Sequence, residues 1–336
     1  MKYDSEADFP ISIDRDKLER KSVIVGGLAG ATVTGLAGVI AYFLNSEQFI
    51  YGTLIFCFSP LVLGFVAQSV AEKVKGAPTR SAYAAAMWGT AFALLGTIVC
   101  VLEGFICVIM AAPLAFLMAW FGAFIYKLTV RVGHNRLYFS FIPIAAVCAI
   151  YDSSQGDQVN TRTETTRMMI NASAEKIWPY VLSIDHATPD PILNLGFAHP
   201  LSTQAFGTIP TSSRVCRLST GDMPEVITRI VPNRLLEFKV LHTPPSMREM
   251  NPFGEIHPKH LDGYYISKMG VFRLSPLKDG KTLLEGTSTY QLRIFPEVYW
   301  TVWSDFIVDR IHQSVMSAIA EEATRTNAGI SAYKAK

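Results

Sequence analysis

The residues best placed to do chemistry lie in the second half of the chain. "HPKHLD" sets His257, His260 and Asp262 close together, a nitrogen and oxygen set that a divalent cation accepts. It follows "TPPSMREMNPFGE", a Pro-rich irregular stretch with no further ligand in view, and reads equally as a solvated or lid-like loop over a site. His242 ends an apolar-facing row, where it is either a general acid or base or a satisfied histidine at a strand end. Asp309 and His312 stand at i and i+3, as a hydrogen-bonded pair or as part of a solvated helical face. No GxSxG, P-loop or dinucleotide fingerprint occurs. Cys57, Cys100, Cys107 and Cys148 fall in apolar segments and Cys216 stands alone, with no CxxC or Cys/His spacing. No metal, cofactor or disulfide framework is expected.

These residues need elements to position them. The chain has 336 residues, half of them hydrophobic and 17% charged. An ordinary soluble domain carries about 25% charged residues. The apolar excess lies almost wholly before Tyr151. Net charge is +2, and no basic run with interleaved aromatics tracks a phosphate backbone, so nucleic acid is not an expected partner.

The first half reads as a membrane bundle. Segments 22–44, 49–70, 82–102 and 104–126 are uncharged and long enough to span. A fifth, 137–151, is shorter and is either a span or a re-entrant segment. Lys2, Arg15, Lys17, Arg20 and Lys21 precede the first span. Lys73, Lys75 and Arg80 follow the second, and Lys127, Arg131 and Arg136 follow the fourth. The positive-inside rule puts segment 1–21 in the cytoplasm. Five spans put the C-terminal half outside the cytoplasm, and four leave it inside. No Asp, Glu, Lys, Arg or His lies within the first four spans, which argues against a pump or ion-coupled transporter. Gly26, Gly30, Thr34 and Gly38 form a small-residue row, for packing within the bundle or against another subunit.

The second half reads as α+β. Residues 152–162 form a polar linker, 163–170 a strand, and "NASAEKIWPYVLSI" a helix with Ser173 as its cap and Ile177, Trp178 and Val181 on one face. Strands follow at 213–219, 224–231, 234–242, 263–275 and 281–293, with an edge strand near 204–208. Asp279-Gly280 supplies a hairpin turn. A helix over 296–325 closes the domain, stopped by Asn327 and Gly329, with 327–336 as a tail.

This order resembles the SRPBCC superfamily, the START-like or helix-grip fold that includes lipid-transfer domains and polyketide cyclases. "INASAEKIWPYVLSID", "EVITRIVPNRLLEFKV" and "GVFRLSPLKDGKTLLEGTSTYQL" carry the resemblance, over about 163–326. It implies a curved antiparallel sheet around a long C-terminal helix, with a cavity between them. In that frame Phe238, Val240, His242 and Tyr290 line the sheet side. Trp300, Trp303, Ile307 and Ile311 line the helix side, while Asp305, Asp309 and His312 project elsewhere. The expected function is a membrane-tethered domain that binds a lipid or other hydrophobic small molecule. An accessory subunit docking into a membrane complex, and a cyclase- or hydrolase-like enzyme, stand as alternatives.

Overall fold

The computed structural model describes residues 11–43, 52–76, 83–132, 141–154, 161–206 and 213–333. The chain divides into two compact units. One is Met1–Asp157 with Asn251–Phe253, and the other is Gln158–Met250 with Gly254–Lys336.

The first unit is helical: α1 (Ile11–Phe43), α2 (Ser59–Lys75), α3 (Ala84–Val99), α4 (Phe105–Val132) and α5 (Phe141–Ser154). A π-helical turn, Leu54–Phe58, leads into α2. Pro60 then sits in the first turn of α2, where its missing N–H costs little. Leu54–Lys75 and Phe105–Arg131 are long and apolar enough to cross a membrane, while Ala84–Val99 and Pro143–Asp152 are apolar but shorter. Asp152, expected in a linker, belongs to α5 and is buried. Its carboxylate accepts from the N–H groups of Thr53 and Leu54 at 2.8 and 2.9 Å, satisfying donors that a helix start leaves unpaired.

Small residues let these helices approach. A Cβ on Gly64 would lie 1.8 Å from the Ala119 carbonyl oxygen, and one on Gly122 would lie 1.9 Å from that of Leu61. Gly26 and Gly30 meet α2 in the same way, at Ala67, Ala71 and Leu63. The row does not continue as one contact: Thr34 bonds its own helix backbone, and Gly38 faces open space.

The second unit is a seven-stranded antiparallel sheet with a long C-terminal helix, which fits the helix-grip arrangement. Its strands are β1 (Thr161–Ile170), β2 (Pro200–Phe206), β3 (Ser213–Leu218), β4 (Gly221–Val231), β5 (Leu235–Val240), β8 (Tyr265–Pro276) and β9 (Thr282–Leu292), in the order β1-β9-β8-β5-β4-β3-β2. β6 (Glu249–Asn251) and β7 (Gly254–Ile256) form a separate ribbon. Register shifts at Pro200/Ser202, Ile227/Arg229 and Ser267/Met269 bend the strands. Helix α6 (Ala174–Leu182) buries Ile177, Trp178 and Val181 as its periodicity requires. Ser173 holds the N-cap position without the expected side-chain capping bond. Helix α7 runs Glu297–Tyr333, through Asn327 and Gly329. A single Gly inside a helix costs about 1 kcal/mol and does not by itself end it. The core joins α6 and the later part of α7 (Val315, Met316, Ile319, Ala323) to Ile170, Leu236, Leu274 and Leu284.

Gly64→Ala is expected to destabilise the protein by about 1–3 kcal/mol or more, because backbone must move to admit the methyl group. Gly38→Ala, with nothing within 4 Å, meets no clash and is expected to leave the melting temperature unchanged or raise it, since Ala is the better helix former. Thermal unfolding of the two purified variants checks both.

Candidate functional site: the inner face of the sheet

Strand register decides which side chains meet α7. One row crosses the sheet as Ile227, Phe238, Gly270, Ser288 and Glu164, and a second as Leu236, Phe272, Gly286 and Thr166. The Phe238 ring lies over Gly270, where a Cβ would come within 2.2 Å of it.

The earlier half of α7 brings polar groups to this face. Thr166 donates to Asp309 at 2.5 Å, and Gln313 donates to the other carboxylate oxygen at 2.6 Å. With its proton directed at Asp309, the Thr166 hydroxyl accepts from His312 Nδ1 at 3.0 Å. His312 Nε2 is thereby the acceptor for Ser288 Oγ at 2.8 Å. Burial pulls His312 down to about 4, against an opposing effect of Asp309. The ring is neutral at pH 7 and a weak base, so the network fixes side chains better than it moves protons. Nearby, buried Tyr290 donates to Asp305 and stacks on Tyr265 with centroids 5.2 Å apart. Burial and Asp305 push both phenols up. Burial, then Asp305 and Asp309, raise Glu164. Arg310 meanwhile pairs with Asp190, whose carboxylate also accepts from the N–H groups of Ile192 and Leu193, tying the loop before β2 to α7.

These contacts correct the expected facing of the helix. Asp305, Asp309 and His312 meet the sheet rather than projecting elsewhere. At about 100° per residue Trp303 lies half a turn from His312, with Ile307 and Ile311 to one side, and all three are half-buried. The stripe had the right period and the wrong partner. The sheet offers Tyr290, Thr166 and Ser288, which are matched by polar groups, not by aromatics.

A second polar group lies across the sheet. Arg214 on β3 faces Glu225 on β4 in register, with Nη1 3.5 Å from Oε2. The guanidinium stands 4.7 Å from the Phe238 ring centroid and 5.7 Å from that of Phe272. Burial pushes Glu225 up to about 7, with Arg214 opposing, and pushes the neighbouring Cys216 thiol up to about 12.

Of the other expected site residues, Phe238, Val240, Tyr290 and Trp300 are buried. His242 is exposed beyond the end of β5. In "HPKHLD", His257 pairs with Asp262 at 2.6 Å on the surface, while His260 is buried and pulled down to about 4 by burial and His257. Arg214, Glu225, Thr166 and Ser288 escaped sequence reasoning. The available signal was a charged residue at an inward phase of two adjacent strands.

No family model and no curated protein matches the chain in sequence. Among solved structures, a norcoclaurine synthase of Thalictrum flavum shares 11% identity, with a TM-score of 0.33 over 51% of this chain and 98% of that one. The Zhui aromatase/cyclase of Streptomyces sp. R1128 shares 13%, with a TM-score of 0.33 over 49% and 95%. The di-domain aromatase/cyclase StfQ of the steffimycin pathway shares 9%, with a TM-score of 0.35 over 58% and 62%. The likeness lies in the C-terminal half. Scores this low leave the function of this chain to its own residues.

His312 gives the domain an acid limit. Its folded pKa of about 4 lies below the ordinary 6.5, so the unfolded chain takes the proton first as pH falls. Stability is expected to drop progressively from pH 6.5 to 4, by up to about 3 kcal/mol from this group. In His312→Gln the acid limb should flatten, as read from melting temperature against pH. Equal slopes in both proteins would contradict the assignment.

Proposed function

We propose that the chain is an integral membrane protein whose helix-grip domain holds a lipid or other hydrophobic small molecule between α7 and the sheet. The membrane reading is supported by the apolar surface of the helical unit. Trp88, Leu95, Ile109, Leu117, Leu128 and Val130 are all exposed. Apolar exposure of this extent marks a surface that meets something other than water.

Five crossings with the N-terminus cytoplasmic agree best with the bond from Asp152. It sets the end of α5 level with the start of the helix Leu54–Lys75. With the charged segments inside, that helix starts on the outer side, and so the chain leaves α5 on the outer side. Glu19 pairs with Lys75 at the other end of the helix, beside the basic segments. α3 and α5 have 16 and 14 residues, lengths of about 24 and 21 Å. They fit a bilayer that thins locally around them. The sheet domain is then extracytoplasmic. A topology reporter fused after Gly156 should report the outer side, and a cytoplasmic signal would overturn the five-crossing arrangement.

The ligand reading rests on the lining. Along the later half of α7 the interface is dry and apolar. Along the earlier half, buried Tyr290 and Trp300 stand among polar groups, and Phe238 and Phe272 of the apolar core meet the Arg214 guanidinium, the mixed lining typical of a small-molecule site. Full-length protein purified in mild detergent should carry a bound amphiphile, detectable by mass spectrometry of the extracted lipid. Phe238→Ala should lose most of it and Trp303→Ala, on the far face of the helix, should retain it. Wild-type protein with no bound small molecule, and no uptake from added lipid, would sink the reading.

A further inference from the structure

The least satisfied polar atoms of the inner face belong to Arg214 and Glu225. Arg214 is 4% exposed and Glu225 is 2% exposed. Arg214 Nε and Nη1 and Glu225 Oε2 have no hydrogen-bond partner among the described residues. Their 3.5 Å approach is an ion pair without a hydrogen bond. Leaving a buried charged donor unmade is expensive, more so than leaving a neutral one. Packing explains the position of the guanidinium, which stacks on Phe238 and Phe272, but not the vacant N–H groups.

We infer that Arg214 and Glu225 form a buried subsite for the carboxyl head group of an amphipathic acid, whose apolar body lies along the aromatic inner face. The inference rests on the ligand-binding reading and names the class of ligand. A guanidinium offers its donors in a planar fork, which a carboxyl group matches with two acceptor oxygens. One proton is then shared between that carboxyl and Glu225, so Oε2 gains its partner. The site holds one positive and one negative charge, with no net charge left buried. The raised pKa of Glu225, about 7, means that this proton is available near neutrality. An alcohol brings one oxygen and leaves part of the fork empty. A methyl ester brings two acceptors and no proton, which leaves Oε2 facing an acceptor.

The test uses full-length protein in mild detergent and three probes of one chain length: dodecanoic acid, dodecanol and methyl dodecanoate. Binding is read by competition against a fluorescent fatty acid. Wild type should take the acid at least tenfold more tightly than the alcohol or the ester. Arg214→Met keeps the apolar bulk and should abolish the preference while the alcohol still binds. Glu225→Gln supplies an N–H where the shared proton stood and should keep the preference for the acid over the alcohol. Equal binding of all three probes to wild type overturns this subsite and leaves the ligand-binding reading standing. Binding of none overturns both. An unchanged preference in Arg214→Met also overturns it. If that variant does not fold, the wild-type ratio and the behaviour of Glu225→Gln decide.

Discussion

Two missing side chains set how the sheet is filled. Gly270 and Gly286 stand on adjacent strands, β8 and β9, and each leaves a hollow on the inner face. The Phe238 ring occupies the first. The second admits α7: a Cβ on Gly286 would come 3.3 Å from Met316 Sδ and 3.4 Å from the Phe272 ring. This seat, with the bonds from Asp305, Asp309 and His312 to the sheet, sets the rotation of the helix about its axis. With Met316 over Gly286, helical period brings His312 one turn earlier over Ser288, and Asp309 and Asp305 over Thr166 and Tyr290. The aromatic row of Trp303 and Ile307 is thereby turned off the sheet.

From that seat the interface divides into two kinds of surface. Toward the C-terminus of α7 it is a close-packed apolar core that also takes in α6. Toward the N-terminus it is aromatic and polar, with hydrogen bonds tying the helix to β1 and β9 and an ion pair tying it to the loop before β2. The proposed ligand site draws on this division. A dry half supplies stability, and a polar half pre-organises side chains whose order costs nothing further when a ligand arrives. It suits a proton-transfer enzyme less well, since a histidine held near 4 is a poor base at neutral pH.

The helical unit follows the same rule by other means. Its contacts are set by absent side chains at Gly64, Gly122, Gly26 and Gly30, which bring helix backbones together. Bulky apolar residues are left facing outward.

The sequence by itself determined the elements. Long uncharged runs, alternation along the strands, Asp279-Gly280 between β8 and β9, and the face of Ile177, Trp178 and Val181 all act over a few residues, so local composition is enough to read them. It also determined the period of α7, but not its phase. Phase depends on what lies opposite, and the partners Thr166 and Asp309 are 143 positions apart. The inner site was hidden for the same reason. Arg214 and Glu225 look like surface charges in "SRVCRL" and "PEVITRI", and only the register of β3 on β4 sets them face to face. Only the tertiary structure could then bury them, because the sheet and the aromatic rings beside them are brought together by contacts between residues far apart in the chain.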